Sequence, residues 1–249
     1  MTPEDIWHFR HTGFYRLPAP LPADLLRRLN HATRAEIAAM RQPLVWEKEK
    51  EGTPDGVRRL SKILERQTVF MEAATFGPLL EALAAVLGPD VELLHNKHNH
   101  LMVRPPGSAE VEWHSGEEPY HPRLVTALVY LEESTLENGC IRLVPGSHQR
   151  PFAWPRRPRQ PFEDSPLHPR SLPVPMPAGG ILLFDDCCFH GAGPNRSAGS
   201  RRSLTLAYQA HDVHAVGKDE PEKTLVRGER TYVGHPHPFG PPASERPAE

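Results

Sequence analysis

Proline sets the first limit on this chain: 29 of its 249 residues are proline, about 12% where soluble proteins usually carry ~5%. A proline lacks a backbone donor and is excluded from helix interiors and central strands. Much of the chain must therefore be loop. From Val91 onward the sequence supplies short elements: Val91 to His95, Leu101 to Arg104, Leu124 to Leu131, Ile141 to Val144, Ile181 to Phe184 and Ser203 to Gln209 are β-like runs separated by turn signals. Several short strands at this spacing imply a sandwich or barrel. Before Val91, Leu25, Leu29 and Ala32 repeat at helical spacing after Pro22, and Leu79, Leu80, Leu83, Val86 and Leu87 do so before Gly88-Pro89. The breaker-rich, charged stretch from Glu47 to Arg59 between them is expected to be a mobile loop. The reading is one domain over residues 1–233, with a helical part at 1–90 packed on a β core at 91–215 and a frayed tail over 234–249.

Lys plus Arg number 29 against 31 Asp plus Glu, a formal charge of -2, which lacks the basic excess of a nucleic-acid or anionic-membrane binder. No apolar run approaches the ~20 residues that span a bilayer. The opening Met1-Thr2-Pro3-Glu4-Asp5 lacks the layout of a signal peptide, so a cytoplasmic protein is expected. Cys140, Cys187 and Cys188 are odd in number, two of them adjacent, and suit reduced, buried thiols better than a disulfide frame.

Among 15 histidines, context selects two. His114 lies in Glu112-Trp113-His114-Ser115-Gly116 after a strand-like run, and His190 ends the apolar run Gly179 to His190. Between them come Asn138-Gly139 and Pro145-Gly146-Ser147-His148, and after His190 come Gly191-Ala192-Gly193-Pro194-Asn195-Arg196-Ser197 and then Arg201. This ordered set, over about half the chain, resembles the phytanoyl-CoA dioxygenase family of iron(II)- and 2-oxoglutarate-dependent oxygenases, including ectoine hydroxylase. The resemblance implies a mainly β fold: a double-stranded β-helix, a cupin-like jelly roll, with packed N-terminal helices and iron held at its mouth by two histidines and a carboxylate. On it, His114 and His190 match the histidine ligands, and Arg201 matches the arginine that forks onto the distal carboxylate of 2-oxoglutarate. Asn99 and Thr126 fall on positions that help hold the same co-substrate. His148 belongs to the Pro-Gly-Ser-His turn, where the resemblance implies a structural role.

One position departs from the family pattern. Its first metal motif is His-x-Asp, whereas this chain has His114-Ser115-Gly116. Glycine cannot ligate, and a vacated anionic position has room and charge for a chloride. The pattern resembles that of the 2-oxoglutarate-dependent halogenases. These consume O2 and 2-oxoglutarate, abstract hydrogen from an unactivated carbon and return chloride to it. The implied cofactors are Fe(II), 2-oxoglutarate, O2 and chloride, with Gly116 marking the halide position. Two alternatives stay open: a hydroxylase whose carboxylate comes from Glu117 or Glu118, and a non-catalytic binding relative.

In a strand, Asn99 would share a face with His95 and Lys97, which makes His95 and Lys97 candidates to touch substrate and leaves His98 and His100 to packing or the surface. His211 and His214, past the last strand, are expected to be exposed. The Pro- and Arg-rich segment from Arg150 to Arg170, with Arg58, Arg59, Lys62 and Lys97, could form a basic lid suited to a small anionic substrate, a nucleotide such as a deoxyadenosine monophosphate being the first guess.

Overall fold

The computed structural model describes residues 1–116, 124–149, 168–213 and 222–229. Helix α1 (Pro3–Thr12) is capped by Thr2, whose hydroxyl accepts from the Asp5 amide while the Asp5 carboxylate accepts from the Thr2 amide. Helix α2 (Ala23–Ala38) buries Leu25, Leu29 and Ala32, and α4 (Gly77–Leu87), after the short α3 (Thr68–Ala74), buries Leu79, Leu80, Leu83 and Leu87. Both predicted helices thus stand on the apolar faces that the spacing marked. Among the described residues, no single helix is long and apolar enough to cross a membrane.

Thirteen strands are described: β1 (Phe14–Leu17), β2 (Leu44–Trp46), β3 (Val57–Ser61), β4 (Val91–Leu94), β5 (His100–Arg104), β6 (Val111–His114), β7 (Leu124–Tyr130), β8 (Ile141–Leu143), β9 (Leu172–Pro173), β10 (Ile181–Asp185), β11 (His190–Ala192), β12 (Arg201–Ala210) and β13 (Lys223–Arg227). Nine form an antiparallel sheet in the order β1-β10-β7-β12-β5-β3-β2, with β4 and β13 attached through β12, and a smaller sheet runs β6-β11-β8-β9. This is the expected mainly β jelly roll.

The sequence-based division is corrected in one respect. The N-terminal part is not only helical, since β1 pairs with β10, and β3, drawn from the expected Glu47–Arg59 loop, pairs with β5. Val57 and Leu60 are buried there, so two apolar anchors suffice to seat a short strand that its charged neighbours disguise.

The large sheet has two chemically different faces. Leu204, Leu206 and Tyr208 of β12 join Leu101, Val103, Val125, Ala127, Val129, Ile181 and Leu183 in the core shared with the helices, each buried aliphatic contributing about 1.5–3 kcal/mol. The Tyr208 hydroxyl donates to the Ala74 carbonyl at 2.8 Å and ties β12 to α3. The alternate residues point into the barrel, where Tyr130, Leu182 and Phe184 pack on Ile141 and Leu143 of the small sheet. Strand register brings Arg201, Ser203 and Thr205 beside Arg104, Met102 and His100 on this inner face. Polar groups therefore line the barrel at one end, above an apolar floor.

Candidate active site

His114, the last residue of β6, and His190, the first of β11, are direct register partners. Their rings are 4.2 Å apart and inclined by 53°. Each Nδ1 lies against the carbonyl two residues earlier, His114 on Glu112 at 2.7 Å and His190 on Cys188 at 2.8 Å. A carbonyl only accepts, so each Nδ1 carries a proton, the arrangement in which a neutral ring offers its Nε2 to a metal. Burial, and then the neighbouring His114, pull the His190 pKa down to about 3, which keeps its ring neutral. Phe184, on the inner face of β10, packs on the His190 ring at 4.8 Å.

The short motifs around these histidines act as fasteners. The Ser147 hydroxyl donates to the Val144 carbonyl at 2.7 Å and accepts the Phe189 amide at 2.8 Å, fixing the residue before His190. Gly139 has φ +76, and an added Cβ would come 2.1 Å from the Gly193 carbonyl oxygen, so the Asn138-Gly139 turn packs where no side chain fits. Asn195, almost fully buried, donates to the Arg104 and Gly199 carbonyls at 2.8 Å each and holds the β11–β12 connection against β5.

Arg201 is 5% exposed and Arg104 8% exposed. They are direct register partners on the inner face. Arg201 donates to the Ser134 hydroxyl at 3.2 Å, and Arg104 to the Ala109 and Gly193 carbonyls at 2.6 and 2.7 Å. The Nε of each is buried without a hydrogen-bond partner. Burial, and then the adjacent Arg201 charge, lower the Arg104 pKa to about 10. Two buried guanidiniums with unspent donors form an anion site of the kind a carboxylate fork fills. Arg104 was not singled out from the sequence. Its only signal was a charge ending an apolar strand.

Gly116 is not beside open space. A Cβ built there would lie 1.9 Å from Asp186 Oδ2 and 2.5 Å from its Cγ, and the Gly116 amide donates to the Asp186 carbonyl at 2.7 Å. The expected halide position thus abuts a carboxylate that the sequence reading missed. Asp186 accepts from Lys97 Nζ at 2.8 Å, His98 Nε2 at 3.2 Å and the Thr126 hydroxyl at 3.2 Å. Burial pushes its pKa up, but the His98 hydrogen bond and the Lys97 charge outweigh that and hold it well below the usual carboxylate range.

The remaining candidates divide. Thr126 and Lys97 meet at Asp186, whereas His95 turns away to Thr224 at 2.8 Å and Glu65 at 3.4 Å. Asn99 spends its amide on the Leu64 N–H, Glu65 and the His95 carbonyl at 2.9 to 3.0 Å; it braces a loop and is not brought to the arginines. The expected strand alternation over 95–100 fails because β5 begins at His100 and His98 has φ +52. Consequently His98 reaches Asp186 and His100 lies on the inner face, instead of serving as packing or surface. His100 has its pKa lowered to about 3 by burial and by the His98 and Arg59 charges. His211, expected to be exposed, is 5% exposed and bonds Glu92 at 2.8 Å, because Glu92, buried on β4, needs a partner.

Of the expected basic lid, Arg58 pairs with Glu47 and Lys97 with Asp186, while Arg59 stands beside Met102 with its Nε buried and unbonded. A cleft of about 400 Å³ lined by Lys50, Arg58, Met102 and Arg104 opens at this end. Glu117, Glu118, His214 and the 150–167 part of the lid lie outside the described residues. The three cysteines are free, Cys140 and Cys188 buried.

As they stand, the two histidines suit a metal: side by side, with each Nδ1 donating to a backbone carbonyl. Among the described residues, no three His, Cys, Asp or Glu side chains are gathered closely enough to hold an ion by themselves. The donor chemistry fits iron(II), and the buried Arg201 fits a dicarboxylate.

The sequence model of Phytanoyl-CoA dioxygenase (PhyH) matches residues 9–203. Dioxygenase trt7 of Aspergillus terreus (strain NIH 2624 / FGSC A1156) is 29% identical over 167 residues, 61% of this chain, which spans 54% of the length of that relative. Methylphosphonate hydroxylase of Gimesia maris (strain ATCC 29201 / DSM 8797 / 534-30) is 26% identical over 221 residues, 84% of this chain and 81% of its own. The crystal structure of EctD from S. alaskensis with bound Fe superposes with a TM-score of 0.71 at 22% identity, covering 89% of this chain and 80% of that one. At that identity, the likeness establishes the fold.

Proposed function

The chain belongs to the phytanoyl-CoA dioxygenase (PhyH) family, and from that membership we propose that it is an iron(II)- and 2-oxoglutarate-dependent oxygenase that hydroxylates a small anionic molecule. The observation that carries the reading is the pair His114 and His190, with both Nδ1 protons committed to backbone carbonyls, in the same barrel as the buried Arg201. His114 and His190 would hold the iron through Nε2. Arg201, with Ser134 beside it, would take the distal carboxylate of 2-oxoglutarate. Bound there, iron and 2-oxoglutarate supply the oxidising power for an unactivated C–H bond. The protein's part is positional: Leu128, Leu182 and Phe184 give an apolar floor that excludes water, and Phe184 fixes the His190 ring. Arg59 and Arg104 supply unspent donors for an oxyanion on the substrate. A phosphonate or phosphate ester fits that charge, and the likeness to a methylphosphonate hydroxylase supports the class.

Chlorination, with a nucleotide such as a deoxyadenosine monophosphate as substrate, is the second reading, and Gly116 is the observation that favours it. Hydroxylation is placed first because the Asp186 carboxylate, not open volume, adjoins Gly116. The test is turnover of 2-oxoglutarate to succinate against methylphosphonate, alkyl phosphates and deoxyadenosine monophosphate, with and without chloride. A product that gains an oxygen atom without any need for chloride is expected. Exchange of hydrogen for chlorine would replace this reading with the second. Failure of all substrates and of iron uptake would leave a binding relative.

A further inference from the structure

The inner face of the large sheet carries more positive charge than one co-substrate compensates. Register sets its residues in rows across β3, β5 and β12: Arg104 beside Arg201, then Arg59 beside Met102 and Ser203, then Ser61 beside His100 and Thr205. Asp186 already takes up Lys97 and His98. The distal carboxylate of 2-oxoglutarate would answer Arg201, with Arg104 next to it. Arg59 is left over: its Nε is buried without a hydrogen-bond partner, and no carboxylate among the described residues pairs with it. A guanidinium partly withdrawn from water without a counter-charge is costly, so this row calls for a second anion.

His100 stands one step further along the same face. Burial, and then the His98 and Arg59 charges, keep its ring neutral, so it offers a hydrogen bond without adding charge. It also leads towards the paired histidines. Its ring lies 5.8 Å from that of His98, which reaches Asp186, whose carboxylate abuts Gly116, two residues after His114. Leu128, the register partner of Thr205 on β7, completes the row with an apolar surface. We propose that Arg59 and His100 form the oxyanion subsite for the substrate and select a small phosphonate or phosphate ester, whose carbon they turn across Leu128 towards His114 and His190.

This assignment rests on the oxygenase reading above and deepens it by naming the residues that choose the substrate. A guanidinium fork presents two parallel donors to two oxygens of a tetrahedral oxyanion, and the His100 N–H serves the third. A carboxylate has only two oxygens and one charge to offer. Lysine at position 59 would keep the attraction and lose the fork.

The test is isothermal calorimetry of methylphosphonate, methyl phosphate and acetate on the protein loaded with nickel(II) and 2-oxoglutarate, for wild type, Arg59→Met, Arg59→Lys and His100→Leu. Affinity for 2-oxoglutarate is measured separately on each, and melts of the apo proteins serve as folding controls. Methylphosphonate affinity should fall at least about tenfold in Arg59→Met and about three- to tenfold in Arg59→Lys and His100→Leu, while 2-oxoglutarate affinity stays within about twofold. Arg59→Lys, which keeps the charge, carries the test should Arg59→Met not fold. Unchanged methylphosphonate affinity in the folded variants, an equal loss of 2-oxoglutarate affinity, or acetate bound by wild type as tightly as methylphosphonate overturns the assignment and leaves the oxygenase reading in place. Wild type that takes up 2-oxoglutarate but neither the phosphonate nor the phosphate ester overturns the assignment together with the anionic substrate. Absence of metal and 2-oxoglutarate uptake by wild type overturns the oxygenase reading as well.

Discussion

Replacing Arg201 by methionine should weaken co-substrate binding while leaving the unliganded fold at least as stable. Arg104 and Arg201 are paired across β5 and β12 and both are buried. Burial and the Arg201 charge together lower the Arg104 pKa from 12.5 to about 10, a charged form disfavoured by roughly 3 kcal/mol. Removing one guanidinium relieves part of this, about 1–3 kcal/mol at an effective dielectric of ~20, against about 1 kcal/mol for the lost hydrogen bond to Ser134. The apo variant should therefore melt at, or a few degrees above, the wild-type temperature, at ~2–4 °C per kcal/mol for a chain of this size. In nickel(II), 2-oxoglutarate at a hundredfold excess over its Kd should stabilise wild type by about 2.7 kcal/mol. The variant should lose that shift, since truncating one partner of a buried charge pair costs about 2–5 kcal/mol. Scanning fluorimetry reads both quantities. A variant that melts several degrees early without ligand, or that keeps the 2-oxoglutarate shift, refutes the reasoning.

Gly116→Ala should lower the apo melting temperature in scanning fluorimetry, because a methyl group there would overlap the Asp186 carboxylate at 1.9 Å. Ser147→Ala strands the buried Phe189 amide and should cost about 1–3 kcal/mol, read as a lower melting temperature with weaker metal uptake. His100 has a folded pKa of about 3 against an ordinary 6.5. The folded state thus binds fewer protons than the unfolded chain between those values, and the neutral ring's contribution is complete above pH 6.5 and lost as pH falls towards 3. His100→Gln should accordingly flatten the acid limb of a plot of apo melting temperature against pH; an unchanged limb would count against it.

The β core was legible because its strands carry dense apolar runs, and the paired histidines His114 and His190 because ordered turn motifs frame them. Strands β1 to β3 were not, since short strands at or next to a sheet edge need only one or two anchors, such as Val57 and Leu60 of β3, and the basic residues around them mimic a loop. Lys97 and His98 were assigned to opposite faces because strand alternation assumes an extended backbone; the left-handed turn at His98, which no glycine announces, brings both to one carboxylate. Asp186 had a signal that went unused: two aspartates break an apolar run four residues before His190. A charge in such a run must find a partner, but its partners come from Lys97, His98 and Thr126 on distant segments, which one sequence does not pair.

The most direct measurement is an anaerobic titration with iron(II) and 2-oxoglutarate, followed by chloride, watching the visible metal-to-ligand charge-transfer band. With His114 and His190 holding the metal, Arg201 the co-substrate and the Asp186 carboxylate filling the space beside Gly116, the band should form and stay unmoved when chloride is added. A band that shifts with chloride would contradict the hydroxylase reading and put a halide beside Gly116, and no band at all would contradict the iron site itself.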